Sequence, residues 1–178
     1  MKILFAVHTV TSCWNNGNAH FLRGVITALQ ALGHEVAVIE PLDGWSRTNL
    51  RADAGSAPFA QFREAFPTIG ADRYGSTEAA LGLIEAHRPD LVVVHEWNEP
   101  ALVNALGETR KKGAPHVLLF HDTHHRAVSA PQELARFDLS GYDGILAFGA
   151  VIAEIYERLG WGNRAFVWHE AADTRRFR

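Results

Sequence analysis

The chain has 178 residues, of which 47% are hydrophobic and 21% charged, and its formal net charge is −3. This length suits one domain of ordinary size with its own core. The single cysteine, Cys13, excludes a disulfide framework or a cysteine-rich zinc module and fits a reducing compartment. The slightly negative net charge argues against a nucleic-acid-binding protein, which is usually basic. No apolar run reaches the ~20 residues of a membrane span. We expect a cytoplasmic protein without a nucleic-acid partner or transmembrane segment, with peripheral membrane contact left open.

Six short apolar runs predict strands that are buried on both faces of a sheet. The runs do not alternate with polar residues and are rich in β-branched and aromatic residues, as in parallel strands covered by helices on both sides. They lie at 3–7, 36–39, 91–94, 117–120, 145–148 and 165–168.

Four helical patterns lie between these strands. The apolar residues within 21–32 lie on one face of the first helix, and Gly33 follows at the position where the helix is expected to end. Ser76 can cap the second helix, the third runs from about 98 to 112, and the fourth runs over 151–159. Strand–helix alternation of this kind predicts an α/β fold with a doubly wound, mostly parallel sheet.

The segment 41–75 interrupts the alternation. It holds several glycines and prolines and a short amphipathic piece at 59–66, but no long periodic stretch. Loops beyond about 15 residues are usually functional or mobile. We interpret this segment as a partly ordered excursion with one short helix, and a substrate lid is the alternative.

Histidines and acids follow the predicted strands where these end. His8 follows the first strand, His95 and Glu96 follow the third, and His121 and Asp122 lie at the end of the fourth. Ligands of open parallel sheets bind beyond the carboxyl ends of the strands. We therefore expect these side chains to share one cleft, where imidazoles suit hydrogen bonding and acid–base work near neutral pH.

The turn before the first helix is a candidate phosphate site. Gly17 would let the backbone approach a ligand closely, and the helix that opens at Asn18 offers free N–H groups and the positive end of its dipole. An ordinary strand-to-helix turn is the alternative. Glu40 stands where a ribose-binding acid could stand, but the sequence lacks the G-x-G-x-x-G fingerprint, so we predict no NAD site.

His121, His124 and His125 form a histidine cluster that a metal could use, with Glu96 as a further ligand. A segment leaving a strand cannot aim all three imidazoles at one ion without a specific turn. We therefore expect no metal and interpret the cluster as hydrogen-bonding groups for a polar ligand. Packing as satisfied interior side chains is the alternative for His124 and His125.

Four stretches of the chain resemble the N-terminal domain of GT-B-fold glycosyltransferases of the family-4-like kind. The motifs H-E-W and F-H-D-T-H-H are most similar to those of spore-maturation-protein-like members. The resemblance extends over the whole chain. The stretches are G-N-A-H-F at 17–21, V-H-E-W at 94–97, L-F-H-D-T-H-H at 119–125 and W-H-E-A-A-D-T-R-R-F at 168–177.

The resemblance implies a Rossmann-like domain that is one half of a GT-B fold. In that family a sugar passes from a nucleotide-sugar donor to an acceptor across a cleft between two such domains. By this resemblance residues 1–170 form the acceptor-side domain and 171–178 begin the interdomain connector. The C-terminal donor domain has no counterpart here, so the isolated fragment should be inactive. The nucleotide sugar is a co-substrate, and no cofactor is implied.

The resemblance also implies roles for individual residues. His121 matches the histidine beside the reacting sugar, where it stabilises the transition state. Gly17, with Asn18, would lie near the donor diphosphate, although Asn16 replaces the first of the family's paired glycines. His95 and Glu96 would line the acceptor side. Their position at the same sheet edge assigns the remaining residues to acceptor binding: His8, Asp122, His124 and His125.

Two other functions are consistent with the residues alone. One is a stand-alone flavodoxin-like domain that binds a small anion at the histidine-rich edge. The other is a metal-dependent hydrolase that uses His95, His121, His124 and His125.

Overall fold

The computed structural model describes residues 1–176 and contains one seven-stranded sheet with the order β3-β2-β1-β4-β5-β6-β7. Every neighbouring pair of strands is parallel, which confirms the doubly wound α/β prediction. Residues 177 and 178, including the last residue of the 168–177 stretch, lie outside the described part. The strands are Lys2–Ala6 (β1), Glu35–Pro41 (β2), Asp72–Tyr74 (β3), Leu91–His95 (β4), Val117–Asp122 (β5), Gly144–Ala147 (β6) and Ala165–Val167 (β7).

The helices begin and end close to the predicted signals. Gly33 follows the first helix with φ +83°, a conformation that glycine adopts without strain. The Ser76 hydroxyl accepts a hydrogen bond from the Ala79 N–H at 3.2 Å and caps the fourth. The helices are Asn18–Ala31 (α1), Trp45–Ala54 (α2), Ala57–Ala65 (α3), Thr77–His87 (α4), Pro100–Lys111 (α5), Arg126–Ser129 (α6), Pro131–Leu134 (α7) and Ala150–Tyr156 (α8).

The prediction that 41–75 is an excursion with one short helix is wrong. The segment contains α2, α3 and β3. These elements are short and bury few side chains: α2 buries Ser46, and α3 buries Phe59 and Phe62. Their stability comes from tertiary contacts, such as the Arg23 guanidinium 4.9 Å from the centre of the Phe62 ring. Such contacts leave no periodic pattern in the sequence.

The core has two layers, one on each face of the sheet. Helices α4, α5 and α8 cover one face, and α1 and α3 cover the other. The order of the strands reverses between β1 and β4, so connections leave in opposite directions there and open a crevice at the carboxyl ends of these two strands.

Helix α5 packs closely against the loop that leads into β6. A Cβ on Gly141 would overlap the backbone carbonyl of Gly107, whereas Gly82 in α4 has open space around it. We therefore expect Gly141→Ala to lower the free energy of unfolding by about 2–3 kcal/mol through backbone displacement. We expect the matched change Gly82→Ala to raise it by roughly 0.5–1 kcal/mol, since alanine favours the helix. Urea denaturation of both variants measures the contrast, and equal effects would contradict this packing.

Candidate active site

The ends of β1, β4 and β5 bring three predicted histidines together. In the parallel pairing of β4 with β5, His95 lies opposite His121. The centres of the two imidazole rings are 5.3 Å apart, and the ring planes are inclined at 78° to each other. His8 follows β1 and is close enough to act electrostatically on His95. The three imidazoles therefore belong to one edge of the sheet, at the reversal of strand order.

His121 lies in a closed environment. It is fully buried, and its ring centre is 4.7 Å from Trp168 and 5.8 Å from Phe21. Within the described part of the chain neither ring nitrogen has a hydrogen-bond partner. Burial lowers the pKa of His121 to about 3, so the ring is neutral at pH 7. A neutral imidazole offers one donor and one acceptor, and here both are free for a ligand.

His95 has a defined tautomer. The Trp97 N–H donates to His95 Nδ1 at 3.3 Å, so the ring proton belongs on Nε2. Burial, with the neighbouring His121 and His8, holds the pKa of His95 well below its ordinary value. The side-chain amide of Asn18 lies 3.3 Å from Nε2 and links this ring to the start of α1.

Asn18 joins α1 to the chain that follows β7. The amide nitrogen faces Glu170, because carboxylate oxygens only accept, and it donates to both oxygens at 2.9 Å. Its oxygen accepts from the Thr123 hydroxyl at 2.9 Å. Burial raises the pKa of Glu170 to about 7. Glu170 was absent from the predicted site, although its position just after the last strand is a usable signal.

Glu96 and Asp122 form a buried carboxyl pair below the cleft. Asp122 accepts from the Tyr156 hydroxyl at 2.8 Å and from the His124 N–H at 3.1 Å, and it is hydrogen-bonded to Glu96. Burial and the adjacent Asp122 raise the pKa of Glu96 to about 8. The proton of the pair therefore resides on Glu96 at neutral pH. Glu96 also accepts from the Thr123 N–H at 2.9 Å, so the pair fixes the backbone that carries His124.

This pair predicts a distinct pH dependence of stability. Between the ordinary pKa of 4.5 and the folded value of about 8, only the unfolded chain releases the Glu96 proton, so stability falls as pH rises. Glu96→Gln keeps a neutral hydrogen-bonding group and removes the loss of stability that Glu96 causes as pH rises. We expect the variant to gain roughly 2–3 kcal/mol over the wild type between pH 5 and pH 8.

Urea denaturation at several pH values measures this difference, because contributions of buried histidines cancel between the two proteins. Glu99→Gln, a change of an exposed carboxyl in the same loop, is the matched control. Parallel stability profiles for Glu96→Gln and the wild type would contradict the shared proton.

Glu40 shapes the first loop and does not face a ligand. It is fully buried, and its carboxylate accepts from the hydroxyl and the N–H of Thr11 at 2.7 and 3.2 Å and from Thr9 and Val10 at 3.0 Å each. Arg73 approaches it at 3.1 Å. Charge-assisted hydrogen bonds of this kind are among the strongest in proteins. Glu40 therefore holds the backbone of residues 9–11, in the loop that leads from β1 to the cleft-lining residues Asn15 and Asn16.

A cleft of about 1200 Å³ opens beyond the strand ends. Four of the predicted residues line it, namely His8, Gly17, Asn18 and His124. Four others are buried beneath its floor, namely His95, Glu96, His121 and Asp122. His125 is exposed on α6 and pairs with Ser129 at 3.1 Å. Sequence reasoning missed the lining residues Trp45 and Tyr74, whereas Trp97, Asn98 and Glu99 follow a predicted strand at the expected edge but were not assigned a role.

Residues 1–176 contain neither a cluster of side chains that could hold a metal ion nor a helix that could span a membrane. Within these residues no group of three or more His, Cys, Asp or Glu side chains is placed to hold a metal ion. None of their helices combines the length and the hydropathy needed to cross a bilayer.

The family of the chain agrees with this geometry. The model of the glycosyl transferase 4-like domain matches residues 16–168, and the chain belongs to that family. The matched range includes the turn at Gly17, His95, His121 and the seventh strand. The resemblance noted in the sequence is thereby confirmed. No curated protein matches the chain.

Solved structures of similar fold include two bound to UDP. An alpha-glucosyltransferase in complex with UDP and a 13-mer DNA containing a HMU base covers 97% of this chain at 14% identity, with a TM-score of 0.57. MnaA of S. aureus in complex with UDP covers 93% at 13% identity, with a TM-score of 0.53. The chain spans 43% of the length of each structure. These similarities support the Rossmann-like fold of one GT-B half.

Proposed function

We propose that this chain is the acceptor-side domain of a glycosyltransferase that moves a sugar from a nucleotide-sugar donor to an acceptor. Membership of the glycosyl transferase 4-like family supports the reaction class. The observation that carries the proposal is the neutral His121, whose ring nitrogens have no hydrogen-bond partner among residues 1–176 and which lies at the strand ends beside the start of α1. A buried polar group without a partner is costly, which favours a role toward a ligand.

The start of α1 supplies a place for the donor diphosphate. Gly17 precedes the helix and lines the cleft, and it makes no side-chain cap. The first turn of α1 carries no acidic residue. The free N–H groups and the positive end of the helix dipole therefore suit an anion. A second Rossmann-like domain would supply the contacts to the nucleotide.

His121 would act as a hydrogen-bonding group and not as a strong base. With a pKa of about 3 it stays neutral at physiological pH, so its unprotonated nitrogen can accept a hydrogen bond from a sugar hydroxyl as positive charge develops on the ring. Trp168 covers the imidazole in the isolated chain. Movement of the segment after β7 would expose the ring to the donor sugar.

A transfer assay tests this function. The intact natural protein is incubated with a panel of nucleotide sugars and acceptors, and the products are weighed by mass spectrometry. In the expected reaction the bond from the anomeric carbon to the diphosphate breaks. A bond from that carbon to an acceptor oxygen forms, and the acceptor proton leaves with the diphosphate or to water. No sugar transfer with any donor would overturn the proposal.

A further inference from the structure

Two tryptophans present exposed ring surface around the cleft. Trp45 is 53% exposed and Trp97 is 43% exposed, and both line it. Neighbours hold each ring in place. Trp14 packs edge-on against Trp45 at 4.9 Å, and the Arg126 guanidinium lies 4.0 Å from the centre of Trp97. Ring surfaces that are fixed but exposed are suited to a ligand with flat apolar patches, because little side-chain entropy is lost on binding.

The cleft that these rings line also presents uncharged hydrogen-bonding groups. They both donate and accept, and they come from the loop after β1, from α2 and from the start of α4. Hydroxyl-rich ligands need partners of this kind, because each hydroxyl is a donor and an acceptor. These groups are Asn15, Asn16, Thr48, Asn49, Ser76 and Thr77.

Away from the first turn of α1, the side chains of the cleft are unsuited to an anion. Among the described residues that line it, none is lysine or arginine, and two, Asp43 and Glu99, are acids. Nearby arginines are already paired: Arg73 with Glu40 at 3.1 Å, and Arg126 with Glu133 at 3.5 Å. Nucleic acids and phosphorylated ligands need a positively charged groove, whereas an uncharged ligand does not.

We propose that the acceptor is an uncharged saccharide whose ring faces pack on Trp45 and Trp97. The inference rests on the proposed function, since it takes this cleft as the acceptor side. The C–H faces of a sugar ring supply the flat apolar patches, and its hydroxyls meet the amides and hydroxyls of the cleft. Asp43 and Glu99 repel phosphorylated versions of the same sugars. The acceptor part of the cleft therefore favours the sugar ring and disfavours phosphate groups attached to it.

Binding to immobilised glycans tests this inference. The protein is applied to a panel of neutral oligosaccharides, phosphorylated sugars and a single-stranded DNA oligonucleotide. We expect stronger retention on neutral saccharides than on phosphorylated versions of the same sugars or on the oligonucleotide. Trp97→Ala and Trp45→Ala should each weaken that binding about tenfold or more. Trp97→Phe, which keeps an aromatic face, should retain most of it and so distinguishes lost binding from misfolding. Trp161→Ala, a change of a tryptophan outside the cleft, is the matched control and should bind as the wild type does.

The double change Asp43→Asn with Glu99→Gln tests the repulsion. We expect it to bring phosphorylated sugars into the retained set. Retention of phosphorylated sugars by the wild type equal to or stronger than that of the neutral sugars, binding that survives both tryptophan changes, or no retained glycan at all would overturn the inference. This outcome can be distinguished from failure of the proposed function. Sugar transfer to a lipid or to a phosphorylated acceptor would contradict the inference about the acceptor, while the proposed transferase activity would still hold.

Discussion

Replacing His121 by alanine should slow sugar transfer by the intact natural protein about a hundredfold, the scale of losing one positioned polar group. The imidazole is neutral and lacks a hydrogen-bond partner in the described chain, so its polar atoms are available to the reacting sugar. We expect the loss in kcat more than in KM, because a contact made in the transition state affects the chemical step.

A matched control lies just before the same strand. His116 precedes β5 and is 6% exposed, with an unpartnered Nε2, whereas His121 lies near the carboxyl end of β5. His116→Ala should affect stability in a similar way and leave turnover unchanged. Since His121 stays neutral above about pH 5, it should add no inflection near pH 6.5 to the rate profile. Turnover of His121→Ala close to that of the wild type would remove this residue from the mechanism.

Replacing Glu40 by alanine should lower the free energy of unfolding by about 3–5 kcal/mol, as expected when one member of a buried ionic network is removed. The change leaves two backbone N–H groups, two hydroxyls and the Arg73 guanidinium without their shared acceptor. Arg47, whose Nε is buried 3.7 Å from the same carboxylate, loses its counter-charge.

Glu35→Ala supplies the comparison for Glu40. Glu35 begins the same strand, is exposed and pairs with Lys2 at 3.8 Å. Exposed pairs contribute about 0–1 kcal/mol, so this variant should unfold almost as the wild type does. Urea denaturation measures both proteins. A loss for Glu40→Ala no greater than that for Glu35→Ala would show that the network does not hold the first loop.

The sequence predicts the strands whose side chains are buried on both faces. β1 and β4 are unbroken apolar runs because helices cover each of them twice. β3 escapes prediction because it is defined by backbone pairing with β2, while Asp72 and Arg73 stay exposed. β3 leaves no apolar run because two of its three residues are charged, whereas the equally short edge strand β7 was predictable because Ala165–Val167 are all apolar.

The position of the site along the sheet is also predictable, but its depth is not. The strand order places His8, His95 and His121 at one edge, as the topology requires. Whether such a side chain faces the cleft or lies beneath it depends on loops that cross above the strand ends. Trp97 and Trp168 belong to those loops: the Trp97 backbone N–H contacts His95, and the Trp168 ring packs on His121. Such contacts join distant parts of the chain, so local sequence carries no signal for them.

A crystal structure of the intact natural protein with a non-transferable nucleotide-sugar analogue and a saccharide acceptor tests the account most directly. We predict the diphosphate at the N–H groups that follow Gly17 and the donor sugar within hydrogen-bond distance of His121. Trp168 should be displaced from the imidazole, and the acceptor should lie in the cleft against Trp97. A nucleotide sugar bound away from this edge of the sheet, with His121 still sealed beneath Trp168, would contradict the central claim.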